Sequence, residues 1–111
     1  MVGAEGGARS IYNALAHRLC LIRVLLAGQL QDLTRGEREV EVDSAQDLRS
    51  MVAKLDSSFP GLGRRIVDDQ GRIRTYVNVF VNKENSRELE SENTKLSDGD
   101  VVHVLPSVAG G

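Results

Sequence analysis

Hydrophobic and polar positions change their period several times along the chain, and each change marks an element. From 21 to 30 an apolar run, LIRVLLAGQL, reads as a strand. Arg23 interrupts it and marks the wetter face, which puts Ile22, Val24 and Leu26 inside. Gln31 to Gly36 is a polar connection. Glu37 to Val42 alternates polar and apolar residues, predicting a half-buried strand with Val40 and Val42 inward and a hairpin with the first run. The period then becomes helical: Leu48, Val52, Leu55 and Phe59 recur with Met51 beside them, while Arg49, Lys54 and Asp56 take the other face. Asp43 and Ser44 are the expected caps, with Gln46 or Asp47 three residues on, and Pro60-Gly61 stops the helix. A short helical turn is expected over 61–67, and Asp68-Asp69-Gln70-Gly71 is a turn. Ile73 to Asn82 is the strongest strand signal, with Val77, Val79 and Val81 on one face and Tyr76, Asn78 and Phe80 on the other. A polar excursion over 83–93 follows, in which Leu89 could anchor a short strand. Ser97-Asp98-Gly99-Asp100 is a turn. Val101 to Leu105 is the last strand, closed by Pro106, which cannot donate to a ladder.

Two strands, one crossing helix and two further strands predict an α+β fold, with a mixed sheet of four to five strands and one main helix across one face. The right-handed crossover rule places the late strands beside the first, parallel at the join. One domain is expected over 21–105. Residues 1–20 form an extension that reads either as a short helix through Ile11, Leu15 and Leu19 or as flexible chain, and residues 106–111 form a flexible tail.

Composition changes this picture little. A net charge of −2 gives no reason to expect nucleic-acid binding. The basic spots Arg64-Arg65 and Arg72/Arg74 read as solvated surface or, alternatively, as partner contacts. A lone cysteine, Cys20, cannot form an internal disulfide or a four-ligand metal site; it is a small core residue or a reactive thiol. No apolar run approaches the ~20 residues that span a membrane. A cytoplasmic protein is the expectation.

Side chains offer little catalytic chemistry. His17 lies in the extension, and His103 alternates with Val102 and Val104, so it points from the outer face of the sheet. No nucleophile elbow, metal spacing or phosphate loop is present. Asp98 and Asp100 flank a glycine as turn residues do, and Glu88, Glu90 and Glu92 read as a solvated acidic edge. The tail differs. Six residues, Pro106-Ser107-Val108-Ala109-Gly110-Gly111, follow directly from a core strand and reach at most ~20 Å. Glycines at the end would let another protein's narrow channel close around the chain. A carboxylate at Gly111 is a poor electrophile until ATP converts it to an acyl-adenylate. Sulfide or a persulfide could then give a thiocarboxylate, and an amine or thiol an amide or thioester. ATP and magnesium would be handled by the partner enzyme; no cofactor or metal is expected in this chain.

Three stretches resemble a known family: Arg74-x-x-Val77-Asn78-Val79-Phe80-Val81-Asn82, Thr94-x-Leu96-x-Asp98-Gly99-Asp100-x-Val102, and Leu105-Pro106-x-Val108-Ala109-Gly110-Gly111. They look like the sulfur-carrier branch of the ubiquitin-like β-grasp proteins. That branch includes the molybdopterin synthase small subunit, the thiamine-biosynthesis sulfur carrier and the thiocarboxylate carrier of cysteine biosynthesis; the first stretch most resembles the last of these. The resemblance covers roughly 21–111. It departs at Ser107, where alanine is usual, and in the first 20 residues, which have no counterpart in compact members. It implies a β-grasp fold, adenylation of Gly111 by a ubiquitin-activating-type enzyme, a sulfur donor, and a sulfur-accepting synthase such as a cysteine-synthase-like enzyme or a molybdopterin synthase large subunit. Val108, Ala109, Gly110 and Gly111 would thread into the partner's active site. The sheet face opposite the helix carries Leu21, Leu25, Tyr76, Phe80 and Leu105, too much apolar surface to leave uncovered; it is the expected docking face unless the N-terminal extension covers it. A ubiquitin-like modifier joined to lysines and a β-grasp binding module with an inert tail are the competing readings.

Overall fold

The computed structural model describes residues 21–106. Its strands are β1 (Leu21–Leu26), β2 (Glu39–Asp43), β3 (Val77–Val81), β4 (Glu84–Asn85) and β5 (Val101–Pro106), and its helices α1 (Leu48–Ser58) and α2 (Leu62–Ile66). The sheet order is β2-β1-β5-β3-β4. β1 pairs antiparallel with β2 and parallel with β5, while β3 pairs antiparallel with both β5 and β4. This is the mixed β-grasp sheet, with α1 packed across one face and the last strand at its centre.

The alternation read from the sequence sets the core. Ile22, Val24, Leu26, Val77, Val79, Val81, Val102 and Val104 are buried on one face, against Leu48, Met51, Val52 and Leu55 of α1 and Leu62 and Ile66 of α2. Val42 is buried and Val40 half-buried at the β2 edge.

Four boundaries differ from those expected, each for a local reason. β1 ends at Leu26 rather than continuing to Leu30. Gly28, at φ +63°, starts a 3₁₀ segment over Gly28–Thr34 that buries Leu30 by a different route. The cap of α1 is Asp47, not Asp43 or Ser44. Its carboxylate accepts the Ser50 N–H at 2.8 Å, and the Ser50 hydroxyl accepts the Asp47 N–H at 3.2 Å. β3 begins at Val77; Ile73 makes only an isolated bridge to Val67, and the Val77 N–H turns back to the Arg74 carbonyl at 3.0 Å. The short strand in the polar excursion is Glu84–Asn85, folded onto β3 by a tight turn, and Leu89 stands 39% exposed beyond it.

Candidate functional site

The root of the tail is fixed from three sides. β5 lies between β1 and β3 and pairs with both along its length. Pro106 stands opposite Val77, and Leu105 opposite Asn78. The Ala27 N–H donates to the Val104 carbonyl at 3.2 Å. Gly28 passes beside the Pro106 ring, close enough that a β-carbon there would stand 3.6 Å from its Cγ. The expected reactive residue Gly111, and with it Val108, Ala109 and Gly110, lies outside the described residues, as does the extension over 1–20 with His17 and Cys20.

The far end of β5 is tied down by the Asp98-Gly99-Asp100 turn. Asp98 accepts the Leu21 N–H at 2.9 Å, and the Gly99 N–H donates to the Leu21 carbonyl at 2.9 Å. Asp100 accepts from the Ser97 N–H at 2.8 Å and from the Asn82 side chain at 2.9 Å, whose own oxygen accepts the Val101 N–H at 3.0 Å. The two carboxylates thus hold the starts of β1 and β5 and the end of β3. Among the described residues no group of three or more histidine, cysteine or acidic side chains is arranged for a metal.

The outer sheet face is the other candidate surface. The register puts Glu39, Leu25, His103, Phe80 and Asn85 in one row across all five strands. Leu21, Leu25, His103 and Phe80 are half-buried, and Leu105 is 36% exposed. Tyr76 sits in the turn before β3, not within the strand, and is 41% exposed. The docking set named from the sequence left out His103 and Val101. Both share the parity of Leu105, and His103 lies directly between Leu25 and Phe80, so strand alternation carried the signal. At the edge of this face Arg23 donates through Nε to Glu39 at 2.8 Å. That hydrogen bond raises the guanidinium's pKa and holds the Glu39 carboxyl below its ordinary range. The pair marks the polar rim of an apolar strip.

A family profile described as the ThiS family matches residues 24–111. The chain belongs to the ThiS family. Sulfur carrier protein CysO of Mycobacterium tuberculosis is 33% identical over 84 residues, covering 74% of this chain and 89% of the relative. Small archaeal modifier protein 3 of Haloferax volcanii is 36% identical over 70 residues, covering 63% of this chain and 75% of that one. Among solved structures, the crystal structure of the Amycolatopsis orientalis BexX/CysO complex superposes with a TM-score of 0.75 at 29% identity, covering 81% of this chain and 99% of the matched one. The ThiS-family chain is therefore a ubiquitin-like sulfur-carrier protein, one of a family of small carriers rather than catalysts. No helix among its described residues is long and apolar enough to cross a membrane.

Proposed function

We propose that this ThiS-family protein carries sulfur on its own C-terminus. The Gly111 carboxylate attacks the α-phosphate of ATP in a ubiquitin-activating-type enzyme, forming an acyl-adenylate and releasing pyrophosphate. Sulfide then forms the new C–S bond as the C–O bond to AMP breaks, leaving a thiocarboxylate and free AMP. A synthase takes that sulfur into a biosynthetic product: cysteine, molybdopterin, thiamine or a specialised metabolite. ATP and magnesium belong to the activating enzyme. The observation that carries this reading is the Leu105-Pro106 root: a family match running to residue 111 follows a strand pinned at the centre of the sheet. A reacting group a few residues beyond a rigid root stays within a bounded reach of a docked surface, which suits a group handed between active sites. Leu21, Leu25, Tyr76, Phe80 and Leu105 supply the docking surface.

Intact-mass measurement of the chain isolated from its own cells tests this. A thiocarboxylate adds about 16 Da, since one oxygen is replaced by sulfur. Deletion of Gly110 and Gly111 abolishes the added mass and the sulfur-transfer activity. Activity that survives the deletion would mean an inert tail on a binding module. The likeness to a small archaeal modifier protein favours a second reading, conjugation through Gly111 to lysines of other proteins. Covalent adducts of far larger mass, linked by an isopeptide bond to lysine, would establish that reading.

A further inference from the structure

Arginines gather at the root of the tail, and the hydrogen-bond acceptors of their side chains are neutral. Arg87 donates to the carbonyls of Arg74 at 2.8 Å and Val77 at 2.9 Å, and to the Asn78 side chain at 3.0 Å. Asn78 lies opposite Leu105, and Val77 opposite Pro106, so this guanidinium borders the point where the tail begins. Arg74 donates through Nε to the Arg64 carbonyl at 2.6 Å, which fixes its planar fork and leaves both terminal nitrogens without a protein partner among the described residues. Arg72 reaches only the neutral side chain of Gln70, at 3.1 Å. A carbonyl accepts a hydrogen bond without cancelling the donor's charge. Two acids border the notch: Asp68, with one oxygen engaged by the N–H groups of Gln70 and Arg72, feels the charges of Arg72 and Arg74 without forming an ion pair with either, and Glu92 accepts the Ile73 N–H at 3.3 Å. Among the described residues the ion pair formed is that of Arg23 with Glu39, on a different part of the surface.

We propose that Arg72, Arg74 and the exposed ring of Tyr76, backed by Arg87, form a docking notch for an acidic peptide segment of the protein that receives the tail. This rests on the reading that the tail enters a partner. A fixed guanidinium fork pairs bidentately with a carboxylate, and holding it in advance lowers the ordering cost of binding. Position supports the same occupant: an acidic segment held here lies beside the strand end from which the tail departs. Charge argues against a nucleic acid. Glu92 stands at the notch, and Glu39 and Glu41 lie on β2 at the opposite edge of the sheet, so a phosphate backbone running across the molecule meets repulsion at both ends.

The test is a nuclear magnetic resonance titration of the full isotope-labelled chain with a capped hexaglutamate peptide. Saturable shifts are expected in the backbone amides of 72–76 and the Nε–H groups of Arg72, Arg74 and Arg87, with affinity falling roughly tenfold between low salt and one where screening acts within about 6 Å. Arg74→Gln weakens the peptide roughly fivefold and Arg72→Gln roughly threefold, as expected when one charge-assisted pair is removed; Arg35→Gln leaves it unchanged. Arg72→Gln breaks only an exposed contact, so it reports on binding even if Arg74→Gln disturbs the loop. Shifts that are absent or spread evenly over Arg23, Arg35 and Arg38 would overturn the proposal. So would an equal response to inorganic phosphate, or tighter binding of a hexanucleotide. No activation of Gly111 is involved, so failure here leaves the carrier function standing, and success does not depend on it.

Discussion

Single residues decide where elements start, and Asp47 shows how. Its carboxylate accepts the Ser50 N–H while Ser50 answers with its hydroxyl, satisfying two groups that a bare helix start leaves unpaired. Chiefly because of the Ser50 backbone hydrogen bond, this carboxyl titrates below its ordinary range. A depressed folded-state pKa means stability that is complete above the unfolded value and lost as pH falls through the folded one. Asp47→Ala should therefore cost about 1 kcal/mol at neutral pH in urea unfolding. The difference between variant and parent should shrink as the pH drops below the ordinary aspartate range. Asp43→Ala, at the cap position read from the sequence, should stay within about 0.5 kcal/mol, because that residue ends β2 instead. A pH-independent loss for Asp47→Ala would show that packing, not the cap, carries the effect.

At the scale of elements, strand parity and helix period were legible because each is set by one buried face. Every inward residue named for β1, β3 and β5 is buried, and α1 runs where Leu48, Val52 and Leu55 put it. Boundaries were less legible, because apolar composition does not stop where a strand does: Leu30 is as buried in its 3₁₀ segment as it would be in a strand. Sequence reading also missed the tight turn at Asn82-Lys83, which makes the β3–β4 hairpin. Both residues have positive φ, 50° and 77°, as a type I′ turn requires, yet neither is glycine. Asn82 tolerates this and is further held by Asp100; Lys83 has no such compensation. Lys83→Gly should raise stability by about 0.5–1 kcal/mol in denaturant unfolding. No gain, or a loss, would mean the turn is relaxed by other contacts. The candidate site divides the same way. Its outer-face residues follow from alternation, while the arginine notch arises from side chains meeting backbone carbonyls across a loop, a contact no periodicity encodes.

For the whole molecule, the sheet order separates two tasks that share the same strands. One face buries the valines beneath α1 and α2 and supplies the stability; the other presents Leu25, His103 and Phe80 in a row beside the tail root. Because strand side chains alternate, a change on the outer face should leave the core packing in place. Phe80→Asp makes the separation measurable. Its backbone pairs with His103 and Asn85 are unaffected by the side chain, and its neighbours Val79 and Val81 remain inward. The variant should keep its circular-dichroism spectrum and lose no more than about 1 kcal/mol of stability, the span of strand-surface substitutions. If the face docks the activating enzyme, conversion of Gly111 to the adenylate should fall at least about tenfold, because truncating or charging a central apolar anchor costs about 2 kcal/mol or more of binding. The loss should appear in KM rather than kcat, since Phe80 lies at the docking face and not at the reacting carboxylate. Unchanged adenylation in a folded variant would remove this face from partner recognition, leaving the tail and its arginine-lined root to carry it alone.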